Sequence, residues 1–441
     1  MACTPTPLVR LLPLLLLLLL PSPVREYLSA ASNRRPKDDV AAAAAALHPI
    51  VLVPGVSCSE LEARLTEAYR PSVPRCGAMK GKGWFGLWAN CSDLPAHDYV
   101  RCFQEQMSLV YDPDANDYRN LPGVETRVPN FGSTTGFQRN PVHTDWCLEI
   151  LRHELERIGY RDGDTLFGAP YDLRHAPPVP GQPSQVYSRY FRQLMALVEN
   201  ASKKRRQHNK KVILFGHSFG GMVALEFVRG TPMAWRDKYI KHLVLVAPIP
   251  AAGFVQPVEY FISGTDMLYV PTATPLSMRP MWRSFESAIA NFPSPAVFGR
   301  RPIVITKQRN YSAHDMEDLL AAVGFARGVE PFKKRELPRM RYFQAPMVPT
   351  TCINGVGSET AEQLVYWESD FDGPPEVVYG DGDNSINLIS MLAFDEEMRQ
   401  QPGQKRQFKS IKLHGAQHGS IVTDEWALKR VVQEILEANQ I

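Results

Sequence analysis

Gly216-His217-Ser218-Phe219-Gly220 sets a serine between two glycines at a spacing that suits nucleophilic chemistry. The two glycines allow a turn too sharp for larger side chains, and the serine is lifted at its apex with its hydroxyl open to a base. A serine hydroxyl attacks only when a histidine takes its proton and a carboxylate holds that histidine in the right tautomer. Candidates for both lie downstream. Gly380-Asp381-Gly382-Asp383-Asn384-Ser385 carries two competing carboxylates, Asp381 and Asp383. His414-Gly415-Ala416-Gln417-His418-Gly419 carries two imidazoles, of which His418, past the turn and ahead of a helix, is favoured over His414. A reaction through a tetrahedral oxyanion also needs two backbone N–H donors. Phe219, next after the serine, supplies one. The other must come from a loop after an early strand: Phe131 in Val128-Pro129-Asn130-Phe131-Gly132, or Val56 in Val53-Pro54-Gly55-Val56.

The elements that must position these groups are legible around them. Residues 212–215 form an apolar run of strand type, and 222–228 form a helix-compatible run. Strand before and helix after are the setting that gives the glycine–serine pattern its meaning. The helix would aim its free N–H groups and positive dipole end at the site. Further strands are predicted at 49–53, 243–247, 350–353, 376–379 and 408–413, with weaker candidates at 125–128 and 165–167. Helical periodicity marks 146–158, 187–198 and 425–438. Such alternation predicts an α/β protein with a mostly parallel central sheet covered on both faces. The acid should follow the 376–379 strand, and the histidine should follow the last one. Two stretches, about 56–123 and about 250–345, are too long for loops and read as lid and cap insertions on a single catalytic domain spanning 48–441.

Composition bounds the rest. The chain has 441 residues, 44% hydrophobic and 22% charged, with a net charge of +3, which is ordinary for a globular protein and argues against a nucleic-acid partner. A leucine run at 8–20 behind Arg10 reads as a secretory signal peptide within residues 1–30, processed near Ser29 to Ser32, or as an uncleaved anchor. Residues 31–47 read as a disordered tether. With Cys3 removed, Cys58, Cys76, Cys91, Cys102, Cys147 and Cys352 remain, an even number that permits disulfides in an oxidising compartment. No zinc-type spacing is present, and neither metal nor cofactor is expected. Asn90, Asn200 and Asn310 head glycosylation sequons. Trp84, Phe85, Leu87 and Trp88 are either an aromatic group that dips into a bilayer or a locally packed cluster. The basic run 203–211 is a solvated helix end, with anionic-lipid contact as the minor alternative.

Six segments in fixed order carry a family resemblance: His48-Pro49-Ile50-Val51-Leu52-Val53-Pro54-Gly55, Arg127-Val128-Pro129-Asn130-Phe131-Gly132, Gly168-Ala169-Pro170-Tyr171-Asp172-Leu173-Arg174, Gly216-His217-Ser218, Trp235-Arg236-Asp237-Lys238-Tyr239-Ile240 and Gly380-Asp381-Gly382-Asp383. From residue 48 onward the chain resembles the lecithin–cholesterol acyltransferase family, its plant members and lysosomal phospholipase A included. The resemblance implies an α/β-hydrolase fold, with Ser218, Asp383 and His418 as the catalytic triad and Phe131 and Phe219 as the oxyanion donors. It departs at Asn384, Ser385 and Ile386, where the family carries Thr-Val after Gly-Asp-Gly, changes that roughly keep size and polarity. It implies a lid disulfide between Cys76 and Cys102; Trp84, Phe85 and Trp88, the expected membrane contacts, lie between these two cysteines. A second family disulfide would use Cys352, but Phe394 stands at the partner position, and Cys58, Cys91 and Cys147 are left unassigned. The implied activity is O-acyl transfer from a phospholipid, through an acyl-enzyme, to a sterol or other lipid alcohol; with water as acceptor it becomes a phospholipase A. The work would be done at a membrane or lipid-particle surface, within the secretory pathway. A hydrolase of small soluble esters and a catalytically silent lipid-binding protein are the competing readings.

Overall fold

The computed structural model describes residues 47–440 apart from 89–98, 138–146, 205–208, 269, 271, 342 and 369. The expected signal segment, the tether, Asn90 and Cys91 lie outside the described residues. In chain order the strands are β1 (Ile50–Val53), β2 (Leu61–Leu65), β3 (Phe85–Trp88), β4 (Leu109–Asp112), β5 (Asp117–Asn120), β6 (Val124–Arg127), β7 (Leu166–Gly168), β8 (Val212–His217), β9 (Ile240–Val246), β10 (Val304–Thr306), β11 (Asn310–Tyr311), β12 (Thr350–Val356), β13 (Ser358–Tyr366), β14 (Glu376–Gly382) and β15 (Phe408–His414).

Six of them build the central sheet, in the order β15-β12-β9-β8-β1-β7. Every pairing in it is parallel. Burial on both faces explains why β1 and β8 read as continuous apolar runs: each of their residues is buried. Helix Gln185–Lys203 shows how the covering layer is specified. Tyr187, Tyr190, Leu194, Val198 and Ala201 recur at helical spacing and are buried, and the Ser184 hydroxyl caps the first turn by accepting from the Tyr187 N–H at 3.3 Å. With helices on both faces of a parallel sheet and the serine turn at the carboxyl end of β8, the architecture is the α/β-hydrolase fold.

Two of the predicted strands lie outside that sheet. The 125–128 run becomes β6, part of a three-stranded antiparallel sheet ordered β3-β2-β6. The 376–379 run becomes β14, the edge of a second four-stranded sheet ordered β11-β10-β13-β14. Apolar alternation marks a strand but does not say which sheet receives it. The two insertions also pack differently from a separate lid and cap. Leu61, Phe85, Trp88 and Phe103 from the first share one apolar core with Val258, Trp282, Phe285 and Phe332 from the second. Together they form one layer above the carboxyl ends of the central strands.

That packing corrects the membrane-contact expectation. Phe85 and Trp88 are buried at 3% and 2% exposure, and the Trp88 indole N–H donates to the Ser57 carbonyl at 3.2 Å. Trp84 is half-buried, with the guanidinium groups of Arg127 and Arg64 4.4 and 5.1 Å from its ring centre. The aromatic rings exposed to solvent are elsewhere, including Trp367 and Tyr379 on the second sheet.

Disulfide Cys76–Cys102 lies within the first insertion, and Cys58–Cys147 ties its start to the chain beyond it. Cys352 is free and buried beside the same core as Phe394, and burial pushes its thiol up to about 12.

Candidate active site

Ser218 caps the helix Phe219–Gly230 in a conformation few L-residues adopt, φ 55° and ψ −127°. The glycines permit it. A Cβ on Gly216 would stand 2.6 Å from the Gly220 carbonyl oxygen, and one on Gly220 would stand 2.1 Å from that of Pro54. The strained backbone is held by Ser218 N–H donating to the Val246 carbonyl at 3.0 Å, which ties the turn to the neighbouring strand.

His418 lies on the loop after β15, and Asp383 immediately after β14. His418 Nε2 is 2.7 Å from Ser218 Oγ, and His418 Nδ1 is 3.0 Å from Asp383 Oδ2. With a carboxylate on the Nδ1 side, Nδ1 carries the proton and Nε2 is left to accept from the serine hydroxyl. Asp383 is fully buried, and its charge is met by more than the histidine. Its other oxygen accepts from the N–H groups of Ile386 at 2.7 Å and Ser385 at 3.1 Å, and its backbone carbonyl accepts from His418 N–H at 2.7 Å. The departure at Asn384-Ser385-Ile386 thus leaves the carboxylate's donors intact, because they are backbone groups.

The competing candidates fall elsewhere. The Asp381 carboxylate accepts from Gly357 N–H at 2.7 Å, and His414 is exposed at the end of β15. Phe131 does not border the cavity that holds Ser218. Its ring meets Tyr190 edge-on at 5.8 Å and lines a separate cleft with Trp84 and Arg189. The turn beside the serine is Gly55-Val56, after β1, and both residues line the catalytic cavity together with Phe219. Of the two loops expected to offer the second donor, the one after β1, which carries Val56, lines the catalytic cavity, while the one after β6, which carries Phe131, lines the separate cleft.

One residue of the site is assigned no role from the sequence. His217 occupies a variable position of the serine motif, is buried, and donates from Nε2 to the His418 carbonyl at 3.0 Å. Burial, helped by the nearby His418, pushes its pKa down to about 3, so it stays neutral and fixes the His418 backbone. Its place in the Gly216-His217-Ser218 segment is the signal that could have drawn attention to it.

Above the triad is a small cavity of about 90 Å³ that opens to solvent. Its wall is mostly apolar, with Ile249, Phe254, Pro257, Tyr260, Met267 and Trp282 around the serine. Gly168 to Arg174 joins this roof to the floor. Arg174 is fully buried, pairs with Asp172 at 2.7 Å, donates to the Met107 carbonyl at 3.1 Å, and its own carbonyl receives Ser287 N–H at 3.1 Å. Burial alone would raise Asp172, but the Arg174 charge outweighs it and holds the carboxyl down at about 2. The sequons also have places: Asn200 is exposed near the end of helix Gln185–Lys203, and Asn310 is exposed in β11.

Comparison with known proteins gives this geometry a family. Residues 84–317 match the model of the lecithin:cholesterol acyltransferase family. Lecithin-cholesterol acyltransferase-like 1 of Oryza sativa subsp. japonica is 44% identical over 393 residues, covering 89% of this chain and 87% of that protein. The Arabidopsis thaliana protein of the same name is 39% identical over 401 residues, covering 88% and 90%. Human lysosomal phospholipase A and acyltransferase is 29% identical over 399 residues, covering 87% and 90%. The chain belongs to the lecithin:cholesterol acyltransferase family.

Proposed function

We propose that this protein is a serine acyltransferase of lipid metabolism that takes an acyl chain from a phospholipid and passes it to a hydroxyl. The observation that carries the reading is the continuous chain of hydrogen bonds from Asp383 through His418 to Ser218, opening into an apolar cavity. Ser218 Oγ attacks the ester carbonyl while His418 Nε2 accepts its proton. The amides of Phe219 and Val56 hold the oxyanion, and Asp383 stabilises the imidazolium. On collapse the C–O bond to the glycerol oxygen breaks, that oxygen takes the proton from His418, and the lysophospholipid leaves. His418 then deprotonates an incoming hydroxyl, which attacks the acyl-enzyme and restores Ser218. With a sterol or another lipid alcohol the product is a new ester; with water it is a fatty acid.

The apolar wall supports a long acyl chain over a small soluble ester, since only apolar contact recognises methylenes. Two disulfides, and exposed Asn200 and Asn310 as glycan acceptors, support a life in the secretory pathway. Substrate at a membrane or lipid-particle surface is part of the same reading.

The test is incubation with phosphatidylcholine vesicles labelled in the acyl chain, with and without sterol. Label should appear in free fatty acid or sterol ester, with lysophospholipid released in equal amount. Ser218→Ala should lower this by about 10⁶-fold. Equal acyl release by variant and parent would refute the assignment, and release from soluble esters but not vesicles would favour the small-ester reading.

A further inference from the structure

Three polar atoms in the roof of the catalytic cavity have no partner among the described residues: Trp282 Nε1, Ser287 Oγ and Asn291 Oδ1. Their residues are 5%, 3% and 8% exposed, and all three line the cavity that opens on Ser218. Buried polar side chains are nearly always hydrogen-bonded, and a buried indole N–H usually finds an acceptor. Of the seventeen such unpartnered atoms among the described residues, these three and His217 Nδ1 belong to residues that line this cavity, and the clustering of the three in its roof calls for a ligand.

Their chemistry says which. Asn291 Nδ2 donates to the Ser287 carbonyl at 3.1 Å, which fixes the amide so that Oδ1 is its free end, an acceptor. Ser287 and Asn291 are four residues apart on one helical turn and share a face. Trp282 offers a donor only, and the Ser287 hydroxyl offers a second. Two donors and one acceptor are the complement of an alcohol, which has one proton to give and two lone pairs. An ester or ketone oxygen would use the donors and leave Asn291 Oδ1 bare. A methylene chain would leave all three bare.

We propose that Trp282, Ser287 and Asn291 form a subsite that binds a hydroxyl group of the lipid substrate inside the catalytic cavity. The inference rests on the acyl-transfer reading above and names a specificity element within it. Two sources can bring that hydroxyl: the acceptor alcohol, or a hydroxylated acyl chain on the donor. Because a site built to hydrogen-bond a hydroxyl discriminates against the analogue without one, the subsite steers either transfer over hydrolysis or hydroxylated over plain acyl chains.

The experiment uses the full chain and reads ratios, which are independent of the amount of active enzyme. In the first arm, dioleoyl phosphatidylcholine vesicles contain sterol or hexadecanol, and the ratio of new ester to free oleate is measured. In the second, vesicles of equal ricinoleoyl and oleoyl phosphatidylcholine compete, and the ratio of released chains is measured. Asn291→Leu should lower one ratio about tenfold, and Ser287→Ala should lower the same ratio by a smaller factor. A fall in the first assigns the hydroxyl to the acceptor; a fall in the second assigns it to the acyl chain. Both ratios unchanged in Ser287→Ala, which removes one oxygen and serves if the leucine variant does not fold, would overturn the proposal. A parent that releases no acyl chain in either arm would instead overturn the acyl-transfer reading.

Discussion

The floor and the roof of the catalytic cavity treat polar atoms in opposite ways. On the floor, Asp383 has a donor for each oxygen, and His418 is engaged through both ring nitrogens and its carbonyl. In the roof, Trp282, Ser287 and Asn291 keep a donor or acceptor unused. The difference teaches where each kind of work is done. The saturated Asp383–His418 pair is rigid and serves one fixed chemical step on every substrate. An unsaturated roof costs stability while empty and recovers it only when a matching group enters. Floor variants should therefore change the rate for all substrates alike, and roof variants should change which substrate is preferred.

The largest effect that tests this division is at the acid. Asp383→Asn should lower acyl release by about 10⁴-fold for every acceptor, while Asp381→Asn stays within about threefold, read as steady-state rates on vesicles. A reversed order would move the acid to the neighbouring carboxylate. Next is the oxyanion donor. Val56→Pro removes an N–H and should cost about 10²–10³ in kcat at an unchanged transfer ratio, whereas Phe131→Ala should leave kcat near the parent's. Loss of rate in the phenylalanine variant instead would return the donor to the β6 loop. Supporting the roof, Trp88→Ala should destabilise the fold by about 3–5 kcal/mol in denaturant titrations. A variant of parental stability that no longer binds vesicles would contradict the burial of this ring.

The smallest effect concerns His217, the one floor residue with an unpartnered ring nitrogen. Its pKa is about 3 in the folded protein against 6.5 for a free histidine. Between these values the unfolded chain binds the extra proton, so stability contributed by His217 is full above pH 6.5 and falls as pH drops toward 3. His217→Gln should flatten the decline of the thermal midpoint over that interval. An unchanged slope would mean the ring is charged or solvated.

What the sequence disclosed follows from how local each signal is. The serine turn needs only glycines two residues either side of a nucleophile, so Ser218 and Phe219 are legible directly. Continuous apolar runs disclosed β1, β8 and β9, because strands covered on both faces cannot alternate. Asp383 and His418 needed chain order and family motifs, since Asp381 and His414 offer the same chemistry two and four residues away. The placement of the Phe131 loop was not legible, because an apolar run before a glycine loop does not reveal which sheet it enters. Phe85 and Trp88 misled because an aromatic cluster looks alike whether it faces lipid or a second insertion. Cys58–Cys147 was invisible, as pairing over 89 residues leaves no local trace.

The hairpin β13–β14 has a consequence of its own. Its first strand runs on from β12 of the central sheet, pairs in parallel with β10 of the roof layer, and its second strand delivers Asp383. The same two strands thus anchor the cover and present the acid. A change that loosens the cover should therefore also weaken the Asp383–His418 contact, so that cover and triad lose order together. Substrate wall and catalytic acid are mechanically one unit.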